Sequence, residues 1–190
     1  MMSRIKTTDR SKLKGKNRAV EKKIIIGSLI FFVLIVIVGC FQTSDIKVFG
    51  TVPNMLLSLV LSIGFLFGER EGGAAGIFAG FIYDCMGGTG FLITPIAFLM
   101  LGYVCGILSK WFLSQNFPSF VLYTLIFGAA NEALTFFYYL LLSKDFSIFN
   151  TIFKVLLPEY ISFVIFAPIM YLLSFCVKGL LMRDGKRKDK

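Results

Sequence analysis

Two carboxylates, Asp84 and Glu132, stand well inside long apolar stretches, and they are the residues whose type and setting could do chemistry. A charge in hydrocarbon is costly, so an acid there by default marks a proton or ion path, a ligand contact or an interhelical hydrogen bond. Counting about 1.5 Å per residue from Glu71 and from Pro118 puts both acids roughly 20 Å from the same membrane face, close enough in depth for a shared proton to be chemically reasonable. Each also has a plainer role. Asp84 comes just before Gly87, Gly88 and Gly90, whose backbone N–H groups its carboxylate could accept in an Asx-type turn. Glu132 has Asn131, Tyr83 and Tyr103 as neutral candidate partners and can act as structural glue between helices. Glu159 follows Pro158 at a helix start, where negative charge suits the helix dipole, and is assigned no further role. The chain has no histidine. With so thin a repertoire, no catalytic residue, metal site or cofactor is expected.

The element that must position Asp84 is a glycine-rich helix. Gly72, Gly76, Gly80 and Asp84 recur every four residues, so each is rotated only about 40° from the last on a helix. In an apolar span, small residues at that spacing let another helix's backbone approach closely. The run Gly87-Gly88-Thr89-Gly90 then ends the helix in a tight reversal, since glycine readily adopts positive φ. A second apolar helix follows, carrying Gly102, Tyr103 and Gly106.

Around this pair the composition demands a membrane. The chain has 190 residues, is 56% hydrophobic and contains 22 Phe, beyond any soluble composition. Spans are expected at about 24–41, 52–68, 72–86, 91–113, 118–142 and 158–181, giving an all-α integral membrane protein of six transmembrane helices. Pro53 is placed in the first turn of the second helix, and Glu69-Arg70-Glu71 is read as a charged turn before the third. Between 143 and 158 the spacing of Phe149, Ile152, Phe153, Leu156 and Leu157 suggests a short helix on the membrane surface. The four cysteines, Cys40, Cys85, Cys105 and Cys176, show no CxxC spacing and read as small apolar packers. A lipoprotein cleavage site before Cys40 is the rival to the first span, but the apolar run is too long for a signal peptide.

Charge orients the chain. Residues 1–23 form a basic tail with nine Lys or Arg against Asp9 and Glu21, and residues 183–190 form another. Positive charge marks the cytoplasmic side, which places both termini there with Arg70 and Lys110. The net charge of +9 is concentrated in tails beside apolar spans, so anionic lipid, not nucleic acid, is the expected counter-charge.

Several of these features fall in one order: Pro53-Asn54 opening an apolar helix, the Gly-rich helix ending in Asp84, the Gly87-Gly88-Thr89-Gly90 turn, the segment Leu101-Gly102-Tyr103-Val104-Cys105-Gly106, and the late pair Ala167-Pro168. In that order and spacing, the region 53–168 resembles the MreD family, the integral membrane subunit of the bacterial rod-shape machinery. The resemblance implies a non-enzymatic scaffold in the bacterial cytoplasmic membrane. Such a scaffold binds a bitopic MreC-like partner and helps couple MreB filaments to cell-wall synthases. It also implies a fold similar to the vitamin-capturing S components of energy-coupling-factor transporters. That likeness keeps a second function open, a small-molecule-binding subunit of a transporter.

Overall fold

A helix of leucines with almost no exposed face lies at the centre of the molecule. The computed structural model describes residues 27–42, 51–86, 93–111, 116–142 and 152–187. Its helices are α1 (Gly27–Gln42), α2 (Met55–Phe67), α3 (Glu69–Cys85), α4 (Ile93–Trp111), α5 (Phe117–Leu142) and α6 (Leu157–Arg187). Every residue of α2 from Met55 to Leu66 is buried. At 1.5 Å per residue α2 is only about 20 Å long, and it is wrapped by protein: α3 and α4 lie along one side, α6 along another, and α5 touches it more lightly. Asn54 caps its start, its side chain accepting from the Leu57 N–H at 3.2 Å. Pro53 therefore sits before the cap and not in the first turn.

The register of the contacts shows a chain that reverses direction from helix to helix. Phe31 near the start of α1 meets Phe67 at the end of α2, with ring centroids 4.7 Å apart, and Gln42 at the end of α1 accepts from the Leu56 N–H. Tyr123 of α5 donates to the Leu108 carbonyl of α4 at 3.0 Å, and Tyr160 of α6 donates to the Leu125 carbonyl of α5 at 3.0 Å. α2 and α6 run parallel: Ser62 and Ser174 share a hydrogen bond of 2.6 Å, and one turn on Lys178 donates to the Leu66 carbonyl at 3.0 Å. That lysine satisfies one of the carbonyls a helix leaves unpaired at its C-terminus.

Three boundaries, and the burial of the cysteines, differ from what the sequence suggests. Glu69-Arg70-Glu71 is the first turn of α3, because Gly68 alone makes the break from α2 with φ 109°, a conformation L side chains rarely adopt. Ile152–Leu156 is a π-helical turn running directly into α6, so there is no break between it and the last helix, and the surface-helix expectation for 143–151 lies outside the described residues. α6 continues as helix to Arg187, through the start of what reads as a basic tail. Of the four cysteines only Cys105 packs inside, bonding through its thiol to the Leu61 carbonyl, whereas Cys40, Cys85 and Cys176 are exposed. The N-terminal tail 1–23 lies outside the described residues.

Outward faces are apolar on α1 and α3 to α6, with Leu29, Phe78, Ile96, Met100, Ile126 and Leu172 all exposed. A soluble monomer rarely shows so much apolar surface. Ile93–Trp111, Phe117–Phe137 and Leu157–Leu180 are long and apolar enough to cross a membrane, and Gly27–Gln42 and Met55–Phe67 are shorter apolar helices.

Candidate functional site

The glycines of α3 place backbone against backbone. Gly72 packs on Gly64 of α2 and Gly102 of α4, where an added Cβ would lie 2.5 Å from the Gly64 Cα and 2.6 Å from the Gly102 carbonyl oxygen. One turn on, Gly76 abuts the Phe98–Leu99 peptide. One turn further, Gly80 abuts Thr94 and Pro95. From the other side, Gly106 presses on Gly68 and Glu69, 2.5 Å from the Glu69 Cα to its would-be Cβ. The result is an antiparallel α3–α4 pair with α2 lodged along one flank, closed over nearly its full length by main-chain contact. Lys110 at the end of α4 pairs with Glu69 at the start of α3 and holds the Glu69 carboxyl below its usual carboxylate range.

Asp84 sits half-buried one turn beyond Gly80, in the last turn of α3. Gly87, Gly88 and Gly90, its expected hydrogen-bond donors, lie outside the described residues. Tyr103 is exposed on α4, and its Cβ and ring edge flank Gly73 of α3 at ordinary van der Waals distance, so it borders the close glycine contact without the backbone-on-backbone approach. Pro168 lies inside α6, beside buried Ala167.

Glu132 belongs to a different region. Among the described residues α3 and α5 share no contact, so Asp84 and Glu132 cannot exchange a proton directly. Equal depth along the membrane normal says nothing of lateral distance, and here α4 and α2 intervene. Glu132 instead lines a cleft of about 300 Å³ with Ala129 of α5, Ile152 and Leu156 of the π turn, and Leu157 and Tyr160 of α6. Its Oε2 is shielded and has no hydrogen-bond partner among the described residues, although the Asn131 side chain reaches the same carboxyl group. Glu159 and Tyr160 are its electrostatic neighbours, not Tyr83 or Tyr103. From the sequence alone Glu159 reads as a dipole-matched helix start. The irregular run into Pro158, where a π turn forms, is the only local signal that this end of α6 is unusual, and π turns recur at functional sites.

An all-helical bundle with apolar outward faces and glycine-mediated helix contact defines a multi-pass membrane protein. Residues 7–175 match the model of the family 5TM-5TMR_LYT, described as 5TMR of 5TMR-LYT, and the chain belongs to this five-transmembrane receptor family. No curated protein and no solved structure matches the chain.

Proposed function

We propose that this protein is a non-enzymatic scaffold in the bacterial cytoplasmic membrane, of the kind its resemblance to the MreD family implies. It binds an MreC-like bitopic protein and helps couple MreB filaments to cell-wall synthases. The observation that carries this reading is the glycine-closed α2–α3–α4 unit ending in Asp84: a stiff, buried platform leaves the outward apolar faces to be the working surface. In this reading the chain crosses the membrane six times, with a fold like that of transporter S components. Both termini are cytoplasmic, and the basic tails lie on anionic lipid.

Purification of the full chain from cells that also produce the bitopic protein tests the scaffold directly. Retention of that partner by the wild type, and its loss with Gly76→Leu or Gly80→Leu, is the expected result; no retention by folded wild-type protein overturns it. Crossing number is tested separately. Single cysteines at Ser3 and Lys188, in a background without native Cys, should both be shielded from an impermeant thiol reagent in intact cells. Labelling at one end only would give an odd number of crossings.

A second reading, a membrane domain that binds a small molecule for transport or sensing, is favoured by the cleft at Glu132 and by the receptor family to which the chain belongs. It predicts that Glu132→Gln is as damaging to function as Glu132→Ala, since the titrating group itself is lost.

A further inference from the structure

The cleft at the π turn has a polarity that restricts what can fill it. Its walls are Ala129, Ile152, Leu156 and Leu157, all apolar, Glu132 is the one acid that lines it, and no basic residue is among the described lining residues. Glu159, one residue before Tyr160 on the cleft wall, stands within electrostatic reach of Glu132. Tyr160 cannot serve as the missing donor, because its hydroxyl hydrogen is already directed to the Leu125 carbonyl. An acid in so apolar a wall is best met by a hydrogen-bond donor, so an occupant that brings one has a specific advantage over one that brings only hydrocarbon.

We propose that this cleft binds the primary ammonium group of an amphiphile, with the N–H donors on Glu132 and the adjoining carbons against Ala129, Ile152, Leu156 and Leu157. An anionic head would find no basic partner among the described lining residues. A quaternary ammonium has the charge but no N–H to donate to Glu132. The cleft volume of about 300 Å³ is at the small end for ligand sites, enough for the head and the first carbons of a chain that then runs along the apolar outer face of α5 and α6. The ammonium could be that of a free long-chain amine or of an aminophospholipid head. This inference deepens the small-molecule reading of the same cleft and is independent of partner binding.

The test uses the purified full chain in a neutral, amine-free detergent. Thermal unfolding is followed against decylamine, decanol and decyltrimethylammonium, and native mass spectrometry compares retention of phosphatidylethanolamine and phosphatidylcholine. Decylamine should raise the midpoint saturably and more than either control. Glu132→Gln should weaken that effect about tenfold, in keeping with loss of a charge-assisted hydrogen bond. Glu159→Gln should weaken it less. Preferential, Glu132-dependent retention of phosphatidylethanolamine identifies the lipid as the source, and a decylamine effect without it identifies a free amine. Equal shifts with decylamine and decanol on the wild-type chain would overturn the proposal, whether or not the variants fold. Loss of the amine effect with the bitopic partner still retained removes the ligand reading alone.

Discussion

The two sides of the molecule are built on opposite principles. In α2, α3 and α4 the chain closes main chain on main chain, through Gly64, Gly72, Gly76, Gly80, Gly102 and Gly106. Around α5 and α6 the contacts are made by side chains: Phe120 and Tyr171 rings 4.6 Å apart, Phe65 against Phe120 at 5.5 Å, the Tyr123 hydroxyl reaching a carbonyl of α4 and the Tyr160 hydroxyl one of α5. Main-chain contact leaves nothing that can rotate out of the way. Side-chain contact can repack, and it leaves a cleft where the rings and branches do not meet. Rigid support and an adaptable site thus occupy different helices of one bundle.

The sharpest way to break this contrast is to add bulk on the glycine side. Gly76→Leu and Gly80→Leu are expected to destabilise the protein by more than about 3 kcal/mol or to abolish folded material, because the new atoms meet backbone that cannot yield. Size-exclusion recovery and thermal midpoint in detergent measure this. Wild-type values would mean that the glycines face lipid. On the other side, Gly128→Ala meets ring atoms of Phe163 and Tyr160, which can shift, and should cost only about 1–2 kcal/mol.

At the cleft, Glu132→Ala should cost about 1–2 kcal/mol by removing volume and stranding Asn131, whereas Glu132→Gln should cost less than about 0.5 kcal/mol. The same unfolding measurement in detergent reads both, and equal losses would place Glu132 among the rigid contacts. Gly179→Ala is the control with no tertiary term. Nothing lies within 4 Å of its would-be Cβ, so helix propensity alone should stabilise by up to about 1 kcal/mol.

The smallest effect is the Glu69–Lys110 pair at the mouth of the glycine unit. Lys110 lowers the folded-state pKa of Glu69 below the ordinary 4.5. The stabilisation is therefore fully present above that value and is lost as pH falls through the lowered folded pKa. A pH series of midpoints between neutrality and acid should be slightly flatter in Glu69→Gln, and raised salt should shrink the difference, since the pair is partly exposed.

Much of the glycine unit is legible in the sequence. The four-residue spacing of Gly72, Gly76 and Gly80 is a property of helical geometry and needs no tertiary information, and the apolar runs likewise declare an all-helical membrane protein. Single-residue features at the element ends are less legible. Gly68 closes an apolar run in the sequence, but only its positive φ shows that it alone separates α2 from α3. Pro53 and Asn54 are both fit to start a helix, and only the bond from Leu57 shows that Asn54 is the cap.

What the sequence determined by itself is therefore periodic: which segments are helices, that α3 has a face of small residues, and that Asp84 and Glu132 lie in apolar surroundings. What only the tertiary structure decided is lateral. Depth along a helix follows from counting residues, but the position of one helix around another depends on which faces pack, and that is fixed by the whole set of contacts. Thus Asp84 and Glu132, at similar depth by residue count, fall on helices that share no contact among the described residues, while Glu159, with no chemistry apparent in its own neighbourhood, is carried by the antiparallel α5–α6 contact to the side of Glu132.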